Sequence, residues 1–256
     1  MDEAILQEMK KIEEAENVRI LHAVESGSRA WGFASPDSDY DVRFIYLRRP
    51  EEYLRLDEKR DVIEWKLDKV MDINGWDVKK ALQLAYKTNP TLFEWNNSPV
   101  VYRTSRIWKT AKEKINEHFM PQPAMHHYYS MAVNNYYTHE KGKTILLKRY
   151  FYAIRPLLAA KWILKKQTPP PVLFTALLQE EKAFVPYGTI EGLLERKQYT
   201  LEQGKEERIA ELDEFIEKEM KELEKKLLKM KKVPVQSWEP FNKLFLQILH
   251  SYNWEK

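Results

Sequence analysis

The sequence predicts an α/β (α+β) domain built on a small mixed β-sheet, followed by an α-helical domain. Segments with strand and helix patterns alternate along the first part of the chain, which is typical of a small α/β sheet unit. After Pro121 and Pro123 the pattern changes to long amphipathic or aromatic-rich helical segments. The 256 residues, 43% of them hydrophobic, are enough for two domains with their own cores. We therefore expect one domain over 1–119 and a helical domain over 120–256.

The elements of the first domain follow from the spacing of apolar residues and from turn residues. Ile5, Met9 and Ile12 recur at helical spacing, so a first amphipathic helix is expected over 3–16. Alternating or β-branched and aromatic segments then predict strands, which turn residues and prolines separate. In chain order we expect a strand over 19–25, a short helix over 29–33, a turn over 35–38, a strand over 39–47, a short helix over 51–56, a strand over 61–67, a turn or short strand over 72–77, a helix over 78–86 and a short helix over 91–95.

The second domain is predicted to be helical throughout. Residues 143–167 form one long helical pattern that Pro156 interrupts, and the three prolines at 169–171 end it. Residues 201–232 form a charge-dense helical pattern with one apolar stripe, which we expect to pack on the other helices of this domain. A last amphipathic helix is expected over 241–250.

Charge is distributed unevenly along the chain. Residues 1–119 carry a net charge of −2, whereas residues 120–171 hold eight Lys and Arg residues against Glu140 alone, a net of +7. The basic segment indicates a surface that grips a polyanion. The alternative is that these Lys and Arg side chains only solubilise a helix surface. The net charge of the whole chain, +3, is too small to imply indiscriminate nucleic-acid binding.

Cysteine content and hydropathy exclude several classes of protein. The chain has no cysteine, so disulfides and thiolate metal sites are excluded. Its first residues are acidic, unlike those of a secretory signal. No apolar run approaches the ~20 residues that a membrane-spanning helix needs. We expect a soluble cytoplasmic protein without a membrane partner.

The pattern that carries chemistry is a Gly-Ser turn followed by two aspartates spaced i, i+2. Gly27 and Ser28 follow the first predicted strand, and Asp39 and Asp41 lie at the start of the second. Alternate residues of a strand point to the same face, so the two carboxylates are expected to project together. Such a pair is costly without a cation, and Mg²⁺ prefers carboxylate oxygens. The glycine would let the backbone approach a triphosphate, and the serine with the N–H groups after it would bind phosphate oxygens. This combination predicts the active centre of a nucleotidyl-transfer enzyme.

Basic and aromatic side chains supply further candidates for nucleotide binding. Arg43 lies on the predicted face of the aspartates, either as a phosphate contact or as an ion pair that holds the carboxylates. Lys148, Tyr152 and Arg155 share one helix face at i, i+4 and i+7, where they could bind a triphosphate and stack on a base or ribose. The alternative is a buried or half-buried tyrosine with solvated charges at its rim.

These motifs resemble the signature of the DNA polymerase β-type nucleotidyltransferase superfamily, and more narrowly its RNA-ligase-associated (RlaP/YcgL-like) branch. The segments that carry the resemblance are 27–32 (GSRAWG), 35–41 (SPDSDYD), 72–82 (DINGWDVKKAL) and 148–157 (KRYFYAIRPL). It covers residues 15–165, and the last ninety or so residues match nothing in it. The resemblance implies a polymerase-β-like catalytic domain whose cleft the helical domain completes.

The resemblance also implies a reaction and a set of site residues. It implies Mg²⁺-dependent transfer of a nucleoside monophosphate from an NTP to an acceptor, an RNA end in RNA repair or modification, with two Mg²⁺ ions and Mn²⁺ as the alternative metal. Alternatives are transfer to a protein side chain (AMPylation) or to an antibiotic, and a non-catalytic nucleotide- or RNA-binding scaffold. The implied phosphate ligands are Gly27, Ser28, Arg29, Arg43, Lys148 and Arg155.

The identity of a third carboxylate is open in the sequence. Such enzymes usually take it from a later strand, to join Asp39 and Asp41. Asp72 is the first choice because it lies in a segment that resembles the family. Glu64, inside a predicted strand, is the second, and Asp77 is the third, although a position at a helix start favours an N-cap for it.

Overall fold

The computed structural model describes residues 1–137, 144–230, 234–252 and 254. The described residues divide into two compact units. The first contains Met1–Gly27, Asp39–Phe119 and Val235–Lys256, and the second contains Ser28–Ser38 and Met120–Pro234. The units divide after Phe119, where the sequence places the domain boundary. The segments 28–38 and 235–256, however, belong to the opposite unit from the one predicted.

The first unit is built on a five-stranded mixed sheet, which confirms the predicted fold class. Its elements are α1 (Asp2–Glu16), β1 (Arg19–Glu25), β2 (Tyr40–Leu47), β3 (Val62–Leu67), β4 (Met71–Asp77), α3 (Val78–Tyr86), α4 (Pro90–Asn97), β5 (Val101–Thr104), α5 (Arg106–Glu117) and α11 (Glu239–His250). The strands lie in the order β3-β4-β2-β1-β5, and all neighbours are antiparallel except β2 and β4, which run parallel. The short helix α2 (Gly27–Trp31) begins at the last residue of this unit's first segment.

Two apolar layers cover the two faces of this sheet. On one face α1 packs through Ile5, Met9 and Ile12 against alternate strand residues such as Val42 and Phe44. On the other face the strand residues pack against α3, α4, α5 and α11. Asp41 and Arg43 alternate with the residues that face α1, so they lie on the second face. Both remain half-buried there.

The last helix belongs to the first unit because its apolar side completes a core there. Phe241, Leu244 and Ile248 of α11 are buried in the same cluster as Trp108 of α5 and Leu82 of α3. The last segment of the predicted helical domain over 120–256, which contains α11, therefore belongs to the first unit. The amphipathic pattern of α11 shows that it packs, but not which helices it packs against.

The second unit consists mainly of helices. Its elements are α6 (Pro121–Tyr137), β6 (Thr144–Leu146), α7 (Leu147–Lys166), α8 (Phe174–Glu180), α9 (Tyr187–Lys197), β7 (Lys205–Glu207) and α10 (Ala210–Lys229). The α7 helix runs continuously through Pro156 and is buried along most of its length. Phe33, from the segment 28–38, packs against the rings of Phe151 and Phe174, which also contact each other.

Two local predictions differ from the structure. The helix predicted over 201–232 begins only at Ala210, because residues 205–207 form β7, which pairs with β6; residues 231–233 lie outside the described residues. The short strand β5, which pairs with β1, was not predicted. Both segments form strands because they pair with a strand that is distant in the sequence, and local periodicity does not predict such pairing. In the described part of the chain, no helix is long and apolar enough to cross a membrane.

Candidate active site

The Gly-Ser turn follows β1 after Ser26, and two observations favour glycine at position 27. Gly27 has a φ of 59°, in the left-handed region that side chains rarely adopt. A Cβ atom at this position would lie 2.0 Å from Oδ2 of Asp41. The backbone N–H of Ser26 also donates to the carbonyl of Asp41 at 2.8 Å. The Asp41 carboxylate therefore packs against the backbone of Gly27, and any side chain at this position would displace the carboxylate and strain the backbone.

Asp41 and Asp72 form a pair of carboxylates on neighbouring parallel strands. They are register partners on β2 and β4, and register partners project from the same face of a sheet. The guanidinium Nη2 of Arg43 donates to Oδ1 of Asp41 at 2.7 Å and to Oδ2 of Asp72 at 2.6 Å. Its Nη1 donates to the carbonyl of Asp72 at 2.7 Å. Of the two sequence-based interpretations of Arg43, the structure favours the ion pair that holds the carboxylates.

This carboxylate pair is only partly shielded from solvent. The side chains of Asp41 and Asp72 are 24% and 25% exposed, and that of Arg43 is 13% exposed. Like charges on adjacent strands repel each other, and a cation between them removes the repulsion. Two carboxylates that share one cation are thus already assembled on the strand surface.

The predicted metal ligands are only partly brought together. Asp39 is half-buried, one residue before β2. In the part of the chain that the structure describes, no three His, Cys, Asp or Glu side chains are placed to hold a metal ion. Mg²⁺ is nevertheless often held by one or two carboxylates together with substrate phosphates and water. The hard oxygen donors of Asp41 and Asp72 fit that requirement.

The two other candidates for a third carboxylate have other partners. Glu64 on β3 has a 66% exposed side chain and pairs with Arg60 at 2.9 Å. Asp77 is buried and caps α3, because its side chain accepts from the N–H of Lys79 at 2.8 Å. Burial raises the pKa of Asp77 to about 6. Of the three candidates, only Asp72 shares a cation with Asp41.

Two residues that the sequence interpretation missed support the position of Asp41. Glu25, the last residue of β1, is 1% exposed, and its Oε1 accepts from the N–H of Asp41 at 2.8 Å. The hydroxyl of Tyr102 on β5 donates to the other oxygen of Glu25. Burial and this hydrogen bond raise the pKa of Tyr102 well above its usual range. An acidic residue at the end of a predicted strand, two positions before Gly27, was a visible signal for Glu25, whereas no sequence feature indicated Tyr102.

The segment 28–38 of the second unit is closed by its own hydrogen bonds. The hydroxyls of Ser28 and Ser38 lie 3.2 Å apart, and the Ser38 hydroxyl accepts from the N–H of Ser35 at 2.9 Å. The Nη2 of Arg29 donates to the carbonyl of Ser38 at 2.6 Å. Arg29, a predicted phosphate ligand, thus holds the two ends of this segment together.

The three residues predicted on one face of α7 have different surroundings. Arg155 is 1% exposed, donates to the carbonyl of Val172 and lies 4.4 Å from the ring centre of Trp31. Tyr152 is half-buried with its ring edge-on to Trp31 at 5.5 Å. Lys148 is 23% exposed and pairs with Glu202 at 3.3 Å. The half-buried Tyr152 fits the packing alternative, whereas Arg155 is buried and not a solvated charge, and Lys148 lies in a polar cluster.

Acidic residues from later in the chain compensate much of the basic segment. Lys161 and Lys165 of α7 pair with Glu181 at 3.4 and 2.5 Å, and Lys161 also pairs with Glu219 at 3.0 Å. Lys166 pairs with Glu180 at 3.0 Å; the acidic Glu140 and two lysines of the segment, at 141 and 143, lie outside the described residues. Among the described residues, these three lysines of the segment therefore pair with acidic residues from outside it.

Together the fold and the site define a mixed α/β protein with paired carboxylates on parallel strands beside a Gly-Ser turn. Residues 1–247 match the model of the RlaP family, described as an RNA repair pathway DNA polymerase beta family. The chain belongs to this family.

Individual proteins are also similar to this chain. A protein of Bacillus subtilis (strain 168), named uncharacterized protein YcgL, is 40% identical over 248 residues, which cover 96% of this chain and 95% of the relative. Among solved structures, a nucleotidyltransferase-like protein from Exiguobacterium sibiricum 255-15 is 13% identical, with a TM-score of 0.33 over 96% of this chain and 80% of that chain.

Proposed function

We propose that this protein is a Mg²⁺-dependent nucleotidyltransferase that moves a nucleoside monophosphate from an NTP to an acceptor hydroxyl, with an RNA end as the first acceptor to test. The observation that carries the proposal is the carboxylate pair of Asp41 and Asp72. Both side chains share Arg43, and Asp41 packs against the backbone of Gly27. Membership of a polymerase-β-type family supports the same reaction.

In the proposed reaction, the acceptor oxygen bonds to the α-phosphorus as the bond from that phosphorus to the bridging β-oxygen breaks. Pyrophosphate leaves with the bond electrons, and the hydroxyl proton passes to a carboxylate, for which we assign Asp72. Asp41 and Asp72, with Asp39 before them, would hold Mg²⁺. When bound, the metal neutralises charge on the attacking and leaving oxygens. Arg43 keeps the two strand carboxylates on one face, and Glu25 fixes the backbone of Asp41.

The test is incorporation of α-labelled nucleotide, with each of the four NTPs in turn. The acceptors are an RNA with a free 3′ hydroxyl, the same RNA with a 3′ phosphate, a protein lysate and an aminoglycoside. We expect Asp41→Asn and Asp72→Asn to lower incorporation by at least about 100-fold, the usual effect of losing an acid–base or metal-holding group. Glu64→Gln is the matched control, because that side chain is exposed and pairs only with Arg60 among its described contacts. Equal activity of Asp72→Asn and Glu64→Gln would contradict the assignment.

A second candidate is a nucleotide-binding scaffold without catalysis. It is favoured by Arg43, whose guanidinium already lies between the two carboxylates as a cation of the protein itself. Titration of NTP into the protein with and without Mg²⁺ separates the two functions. Binding that is independent of Mg²⁺, without incorporation into any acceptor, would support the scaffold.

A further inference from the structure

One carboxylate of the second unit lies among several hydrogen-bond donors. Oε1 of Glu202 accepts from the hydroxyl of Ser38 at 2.6 Å and from Nζ of Lys197 at 2.8 Å. Its Oε2 lies 3.3 Å from Nζ of Lys148. These contacts join the loop after the Gly-Ser turn, the α7 helix and the end of α9 through one anionic group.

A second row of groups lies behind these donors. Nζ of Lys197 also donates to the hydroxyl of Ser35 at 2.5 Å, and the hydroxyl of Ser28 lies 3.2 Å from that of Ser38. The Lys197 side chain is 2% exposed, and an anion next to it offsets the cost of burying an ammonium group. The Glu202 side chain is 19% exposed, so this anion lies at the solvent side of the cluster.

The chemistry of the cluster suits a phosphate group at least as well as a carboxylate. Two ammonium groups and a serine hydroxyl bind one anion, and lysine is a common point-charge partner of phosphates. Burial alone would raise the pKa of Glu202. Hydrogen bonds from Lys197 and Ser38, with the charges of Lys197 and Lys148, outweigh burial and lower this pKa to about 2. Glu202 is therefore held as an anion, which is the form that a phosphate could replace.

Few apolar contacts hold the segment that carries Glu202 against the cluster. It lies in turns between α9 and β7, and its neighbours Tyr199 and Leu201 are 84% and 60% exposed. The N–H of Glu202 donates to the Asp37 side chain at 2.9 Å, an exposed contact. Little apolar burial opposes its movement.

We propose that Lys148, Lys197 and Ser38, with Ser28 and Ser35 behind them, form a phosphate-binding site, and that Glu202 occupies it until a phosphate group displaces the carboxylate. Lys148 and Ser28, both expected from the sequence to bind a triphosphate, meet in this one cluster. The identification of the natural ligand as the terminal phosphates of an NTP rests on the proposed function. The exchange of Glu202 for a phosphate group does not depend on that function.

The experiment is calorimetric titration of inorganic tripolyphosphate into the full-length protein without divalent metal. An internal competitor lowers apparent affinity by the fraction of molecules in which the site is open, so an open fraction of one tenth predicts about tenfold tighter binding to Glu202→Gln. Glu207→Gln is the matched control, because Glu207 is exposed on the adjacent β7 and loses the same charge. It should bind as the parent does. Adding Lys148→Met to Glu202→Gln should abolish the gain.

Binding to Glu202→Gln that is equal to or weaker than binding to the parent overturns the proposal and leaves Glu202 as a structural ion-pair partner. If Glu202→Gln does not fold by circular dichroism, Glu202→Asp carries the same test, because it keeps the charge but shortens the reach of the carboxylate. Tripolyphosphate contains no nucleoside to transfer. Failure here therefore overturns the phosphate site alone, whereas failure of nucleotide incorporation overturns only the proposed reaction.

Discussion

Replacing Arg43 with glutamine tests whether the two strand carboxylates are held together by one cation. The substitution leaves Asp41 and Asp72 facing each other on strands that lie about 4.8 Å apart. Two unit charges about 5 Å apart repel by about 3 kcal/mol at an effective dielectric constant of about 20. Since each carboxylate is about one quarter exposed, solvent screening reduces this, and we expect a loss of about 2 kcal/mol in the free energy of unfolding.

The assay is urea unfolding of the full-length protein in the presence of a chelator, with circular dichroism as the probe of unfolding. Adding Asp72→Asn to Arg43→Gln removes one of the repelling charges and should restore most of the lost stability. Saturating Mg²⁺ should stabilise Arg43→Gln more than it stabilises the double variant, because only the former keeps both carboxylates. Arg60→Gln is the control, since its pair with Glu64 is 66% exposed on both sides.

The reasoning is refuted if Arg43→Gln unfolds at the same urea concentration as the parent. It is also refuted if Asp72→Asn fails to restore stability in the Arg43→Gln background. Either result would mean that the two carboxylates do not interact through Arg43.

Two further predictions concern the turn and the cap of α3. Gly27→Ala should destabilise the protein by about 1–3 kcal/mol, because alanine strains the left-handed backbone and collides with the Asp41 carboxylate, and it should lower nucleotide incorporation. Gly192→Ala is the control, because an added Cβ there meets nothing within 4 Å, and it should leave incorporation unchanged. Equal stability of the two variants in urea unfolding would contradict the prediction. Burial raises the pKa of Asp77 from 3.8 to about 6, so the folded protein binds a proton at Asp77 more tightly than the unfolded chain does. The stability that this proton contributes is fully present below pH 4 and is lost as the pH rises through 6. Asp77→Asn stays neutral at every pH and can still cap α3. Between pH 4 and pH 7, the free energy of unfolding in urea should therefore fall by about 2 kcal/mol more for the parent than for this variant. Parallel pH profiles of the two proteins would exclude the raised pKa.

Local pattern alone determined much of the first unit. The predicted strands over 19–25, 39–47 and 61–67 match β1, β2 and β3 within one residue, and the predicted helix over 78–86 matches α3. These elements carry their own periodicity, turn residues and caps, so their identity is encoded within a few residues. Gly27 and Asp41 are also local signals, because a glycine after a strand and an acidic residue at the start of the next one are visible without the fold.

The partners of these residues were decided only by the tertiary structure. Asp72 meets Asp41 because β4 lies parallel to β2 in one particular register, and a shift of one residue would turn its carboxylate to the opposite face. Tyr102 reaches Glu25 only because β5 pairs with β1.

The same holds for segments from the later part of the chain. The contact between Ser38 and Glu202 joins residues 164 positions apart, and α11 completes a core formed mainly by the first half of the chain. An amphipathic or charged segment shows that it needs an apolar layer or a counter-charge. Which layer or counter-charge it finds depends on the packing of distant segments, for which local spacing carries no information.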